Sequence, residues 1–214
     1  MTAPIDAFRE NIGRVRTLGG IYASIRSLLT SVVDIEDILR AQIVLAVSSL
    51  DHLIHEVCRI GVLEIVKGER PETKEFRKFP IRLDGALAVS KGLESIETMV
   101  DSEVRRVNGF KSFQMPDRIA QAVKTFTSVA LWPSVSQRMG LEVDDLKRKL
   151  SLIVERRNKI AHESDIDPSY PGQRWPVDEA MVSDVVAFIE ALGEAIYFVT
   201  RQDHDTGRQP VRPR

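Results

Sequence analysis

Apolar residues recur along most of this chain every three or four positions, the spacing of helices buried along one face, and nowhere do they alternate convincingly with a period of two. Phe8, Ile12, Val15, Leu18, Ile21, Tyr22, Ile25, Leu28 and Leu29 mark a first helix over residues 5–30, with Gly19 and Gly20 as a kink point. Asp34 offers an N-cap to a long second helix ending near Val66, the most apolar stretch of the chain, whose stripe is Leu39, Ile43, Ala46, Val47, Leu50, Ile54 and Val57. A polar strip of Ser48, Asp51 and His55, continued by Arg59, runs beside it. Residues 67–80, KGERPETKEFRKFP, are charged, hold two prolines and keep no period, the pattern of an exposed excursion between helices. Two further helices are expected over 83–107 and 116–130, the later one with Pro116 and Asp117 in its first turn. Trp132, Pro133 and Gly140 then break the pattern ahead of a helix over 141–163. Residues 165–176, DIDPSYPGQRWP, read as a turn-rich loop, and 177–200 as a final amphipathic helix carrying Val182, Val185, Val186, Ile189, Leu192, Ile196 and Phe198. The expected fold is all-α: one helical bundle of about five to seven helices over 1–200, followed by a disordered tail over 201–214.

Composition narrows the function classes. With 43% apolar residues the chain can bury a sizeable core, and a formal net charge of -1 supplies no global basic field for nucleic acid, so any such partner must meet a local patch. The single Cys58 excludes an internal disulfide framework and a multi-cysteine zinc site, and suits a reducing cytoplasm. The N-terminal residues lack the apolar core of a signal peptide, and no stretch approaches the ~18 apolar residues of a membrane span, so no membrane association is expected. There is no Gly-rich phosphate loop, no His-Glu-x-x-His, no Gly-x-Ser-x-Gly turn and no acidic cluster with metal-ligand spacing. His52 and His55 stand at i, i+3 without obvious further ligands. No cofactor and no metal is expected.

One irregularity stands out in the helix over 141–163: Leu146, Leu150, Ile153 and Ile160 form its stripe, and Arg157 falls in the middle of that stripe where an apolar residue belongs. Asn158 follows directly, and His162 comes as the helix approaches a loop. Arg156, Arg157, Asn158, Lys159, Ile160, Ala161, His162 and Glu163 thus make an Arg-polar-x-x-x-His run. This run resembles the motif of ribonucleases in the all-α HEPN family, and LRAQIVLAVSSLDHLIHEV, from Leu39 to Val57, resembles the second helix of the RiboL-PSP-HEPN branch.

The resemblance implies metal-independent RNA cleavage by a homodimer whose motif helices meet in one composite cleft. The residue types suit that chemistry. RNA supplies its own nucleophile, the 2′-OH, so the protein needs a proton acceptor and donor active near neutral pH and a cation for the charge developing on the phosphorus oxygens. His162 fits the first role and Arg157 the second, giving a 2′,3′-cyclic phosphate and a 5′-hydroxyl. Five positions leave the two side chains about 140° apart around a helix and ~7.5 Å apart along it. Either the helix bends or ends before His162, or Arg157 of one subunit works with His162 of the other, or both hold. Asn158, at i-4 from His162, shares its face and is placed to orient the imidazole or touch a phosphate.

Arg156, Lys159, Lys147, Arg148 and Lys149 form either an RNA backbone track or a solvated face. Ser48, Asp51 and His55 are expected against the motif helix, with Asp51 pairing Arg157 or with all three in a hydrogen-bonded layer. His52 reads as ordinary surface; Trp132 and Trp175 either stack bases or fill core and capping positions. Three functions compete: a toxin or antiviral effector cutting tRNA or single-stranded RNA, a non-catalytic HEPN dimerisation or protein-interaction module, and a nucleotide-binding helical domain. Some HEPN toxins are silenced by modification of a Tyr two residues after the His. Ser164 occupies that position here, which leaves a separate antitoxin or regulatory partner protein as the form of control.

Overall fold

The structure, a computed structural model, describes residues 3–30, 33–170 and 172–206. Eight α-helices occupy them: α1 (Pro4–Leu28), α2 (Asp37–Val66), α3 (Leu83–Ser90), α4 (Ile96–Asn108), α5 (Pro116–Val123), α6 (Leu131–Met139), α7 (Val143–Glu163) and α8 (Glu179–Thr206). The only β pairing among the described residues is an isolated bridge between Ile166 and Arg174. None of these helices is long and apolar enough to cross a membrane.

The most apolar stretch does become the central helix. α2 packs against α1, α4, α5, α7 and α8, with Leu39, Ala46, Val47, Leu50 and Ile54 fully buried. Cys58 is buried on the same helix, and burial pushes its thiol well above the ordinary cysteine range, so it is not a nucleophile. Gly61 is where α2 meets Phe126: a Cβ there would run into the aromatic ring. Gly61→Ala should therefore lose about 1–3 kcal/mol by overpacking, despite the gain in helix propensity, seen as a lower urea midpoint at unchanged slope.

The bundle is the expected class, with helix boundaries that differ for local reasons. The stretch read as one helix over 83–107 divides because Gly92 takes a φ of 69° and Ser95 then caps α4, its hydroxyl accepting from Thr98 N–H at 3.1 Å. The helix expected over 116–130 stops at Val123, and α6 starts at Leu131. That places Pro133 in a first turn, where its missing N–H is not needed, so Trp132 and Pro133 lie inside a helix rather than breaking one. Gly140, at φ 66°, does end it. Asp34 accepts from Glu36 N–H at 2.8 Å in a turn just ahead of α2, whose helix begins later than expected.

Residues 67–80 are anchored rather than merely exposed. Arg70 is 4% exposed and donates to Glu64 Oε2 and to the Thr200 carbonyl, both at 3.1 Å. Thr73 Oγ1 donates to the Thr125 carbonyl at 2.9 Å, and Phe76 and Phe79 pack on the core. Of the tail expected to be disordered, residues 201–206 continue α8, with Arg201 ion-paired to Glu64; 207–214 lie outside the described residues.

Candidate functional site

The motif helix buries Leu146, Leu150, Ile153 and Val154, and the next residue of that stripe is Arg157, half-buried. Its Nη1 donates to Asn158 Oδ1 at 3.0 Å, its Nε is buried with no acceptor, and it pairs with no carboxylate among the described residues. α7 stays helical through Glu163 before Ser164 and Asp165 take left-handed φ values of 55° and 59° and the Asp165 N–H reaches back to the Lys159 carbonyl at 3.0 Å. The helix therefore does not end before His162, and at about 100° per residue Arg157 and His162 of one chain leave different faces. His162 is exposed and makes no hydrogen bond or ion pair among the described residues. Asn158, expected to orient the imidazole, has its amide oxygen on Arg157 instead.

The turn that follows is held by a buried carboxylate. Asp165 is 1% exposed, and its Oδ2 accepts from Arg40 Nε at 2.9 Å and Arg156 Nη2 at 2.8 Å. Arg40 Nη2 and Arg156 Nη2 each also donate to the Trp175 carbonyl at 3.1 Å, and Trp175 N–H donates to the Asp165 carbonyl at 2.9 Å. Burial disfavours charge on both guanidiniums. At Arg40 the bond to Asp165 and its charge outweigh that cost and hold the pKa above the usual arginine value. At Arg156 burial prevails, with Arg40's charge adding to it against Asp165's, and the pKa is pulled below the usual value. Next to this lock, Arg40, Ala41, Val44 and Leu45 of α2 and Ile160 and Ser164 line a groove of about 480 Å³.

Of the two readings of the basic residues, an RNA track or a solvated face, a track along a single face does not form. Arg156 is spent on Asp165 because the loop after α7 folds back over it. Lys159 Nζ stands 5.1 Å from the Trp175 ring centre, Lys149 Nζ 4.8 Å from that of Phe188, and Arg148 pairs with Asp145 at 2.8 Å. At about 100° per residue, Lys147, Arg148 and Lys149 point three ways. Of the α2 strip, Ser48 is exposed, and Asp51 does not pair with Arg157: its carboxylate accepts from Phe113 N–H at 2.6 Å and Gln114 Nε2 at 3.4 Å. His55 Nε2 lies 3.2 Å from the Lys111 carbonyl, with its ring 4.5 Å from that of Phe113. The hydrogen-bonded layer exists, but it fastens the segment after α4 rather than α7. Trp132 is a core residue whose indole N–H donates to the Pro116 carbonyl at 3.2 Å; Trp175 is half-buried with its indole N–H unpartnered. Sequence reasoning missed Arg40 and Asp165, although Arg40 interrupts the α2 stripe as Arg157 interrupts that of α7.

An all-helical bundle whose penultimate helix closes on an Arg-polar-x-x-x-His run defines a domain of the HEPN class. Within that class the chain belongs to the RiboL-PSP-HEPN family, whose model matches residues 9–197. No curated protein and no solved structure matches it.

Proposed function

We propose that the chain is a HEPN-type endoribonuclease that cuts tRNA or single-stranded RNA without a metal, acting as a toxin or defence effector from a homodimer. One observation carries the reading: at the C-terminal end of α7, Arg40, Arg156 and Lys159 are all engaged internally, whereas among the described residues Arg157 has no carboxylate partner and His162 no hydrogen-bond or ion-pair partner. His162 takes the proton of the 2′-OH as that oxygen attacks phosphorus, and the imidazolium so formed gives that proton to the departing 5′-oxygen, across from Arg157 of the partner subunit. The Arg157 guanidinium offsets the charge growing on the non-bridging oxygens. The P–O bond to the 2′-oxygen forms, the P–O bond to the 5′-oxygen breaks, and the products are a 2′,3′-cyclic phosphate and a 5′-hydroxyl.

The test is cleavage of a mixed pool of tRNA and single-stranded RNA in EDTA. Cutting is expected to persist, and to end in those termini; 3′-hydroxyl products or full inhibition by the chelator would remove the proposed chemistry.

The runner-up is a HEPN dimerisation module without activity, favoured by Leu45 at 45% and Leu152 at 58% exposed on α2 and α7. A stable homodimer that never cuts across a broad RNA pool and pH range would make that reading the better one.

A further inference from the structure

Between residues 75–80, the end of α4 and the start of α5 lies a second pocket, of about 590 Å³, lined by Lys78, Phe79, Phe110, Lys111, Phe113 and Arg118. Its size is that of a site for a nucleotide-sized ligand. Phe110, in the turn after α4, is 96% exposed, an aromatic ring given to water with nothing packed on it. Lys78, Lys111 and Arg118 are exposed, and none meets a carboxylate among the described residues; Arg118 differs in this from most arginines of the chain, and Lys111 Nζ reaches only Asn108 Oδ1, at 3.1 Å. A single carboxylate, Glu75, lines the pocket. Exposed aromatic surface among unpaired cations is the chemistry that holds single-stranded nucleic acid, the ring stacking a base and the cations meeting flanking phosphates.

The pocket is also coupled to the candidate centre. Asp51 and His55 fasten Phe113 and Lys111 to α2, while Ala41 and Val44, on the same side of α2, line the groove at the end of α7. At 1.5 Å per residue, Val44 and His55 stand about 16 Å apart, a span for a few nucleotides. We propose that this pocket is a binding subsite for an unpaired base of single-stranded RNA, stacked on Phe110 with its neighbouring phosphates on Lys111, Arg118 and Lys78. Its place in a cleavage reaction rests on the ribonuclease reading; its ability to bind does not.

The experiment is anisotropy of a labelled single-stranded RNA oligonucleotide over a salt series, in the full chain carrying His162→Ala so that nothing is cut. Phe110→Ser and the pair Lys111→Gln with Arg118→Gln are added to that background; all three positions are exposed, and circular dichroism checks the fold. Phe110→Ser should weaken binding about ten-fold with the salt slope unchanged, as loss of a stacked base does. The charge pair should lower the slope by about 1.4, two phosphate contacts to a single strand. Parent and variants binding alike, the parent binding no RNA, or an acidic peptide displacing RNA at equal concentration would each overturn the subsite. If binding follows the expected pattern while the wild type never cuts, the ribonuclease reading falls and the pocket stands. If the wild type cuts and the variants bind normally, only the pocket falls.

Discussion

Arg157→Ala and His162→Ala are each expected to cut about two to three decades more slowly than wild type, and to regain about a quarter of wild-type cleavage when the two proteins are mixed and allowed to exchange subunits. The reason lies in the unbroken end of α7. Within one chain the two side chains leave the helix about 140° apart, so in the proposed homodimer a working pair joins Arg157 of one subunit to His162 of the other. A mixed dimer then keeps one intact pair and one doubly damaged pair, and half of the dimers in an equal mixture are mixed. Loss of the guanidinium removes charge stabilisation specific to the transition state, so the rate constant should fall more than the apparent affinity. Cleavage measured before and after subunit exchange checks this. Two inactive proteins that stay inactive together would mean that any active pair lies within a single chain, and undiminished cutting by either variant would remove the site.

Asp165→Asn is expected to cost about 3 kcal/mol, because it takes from the half-buried Arg156 its one carboxylate partner among the described residues and from the buried Arg40 its closest, leaving Arg40 only the more exposed Glu36 at 3.3 Å and Asp37 at 3.5 Å. Arg40 is 4% exposed and Arg156 half-buried, so neither can recover the loss by turning to water. The substitution keeps the side chain's size and one acceptor oxygen, which isolates the charge as the cause. Urea unfolding followed by circular dichroism reads the change. Adding Arg40→Met to Asp165→Asn should restore part of the loss, since a buried ion pair replaced on both sides is far better tolerated than one broken on a single side. A loss below about 1 kcal/mol for the single substitution, the scale of an exposed pair, would show that the carboxylate is not the anchor described.

The contrast between Arg157 and Arg40 shows what the sequence makes legible. Both interrupt an apolar stripe, Arg157 between Ile153 and Ile160, Arg40 one turn before Ile43 and Val47. The motif drew attention to the first. The second was read past because its partner, Asp165, lies 125 residues away, and an ion pair of that separation leaves no local pattern. Of the two readings open for Asp51, a pair with Arg157 or a hydrogen-bonded layer, the sequence does not decide for a related reason: what it binds is the main-chain N–H of Phe113, and a backbone donor has no signature in the choice of residue. The basic run on α7 looked like a track because three cations in a row are conspicuous, although adjacent helix positions point apart. Pro133 looked like a breaker because its effect depends on whether it stands in the first turn of a helix or later. The helical class, the central role of α2 and the helix bearing Arg157 and His162 were legible because each rests on periodicity repeated over many residues.

The lock on Asp165 also sets an order of events during synthesis. The chain emerges from its N-terminus, so α2 leaves the ribosome with Arg40 paired only to its own neighbours Glu36 and Asp37 and must wait for a residue made 125 positions later. Loop closure over that length is among the last tertiary contacts to form. The turn that finishes the motif helix is therefore locked only after residue 165 has been made, onto an Arg40 already waiting. For a protein proposed to cut RNA, this timing keeps the candidate centre unassembled until α7 and the turn after it have been made, while the nearest RNA is that of the ribosome making it.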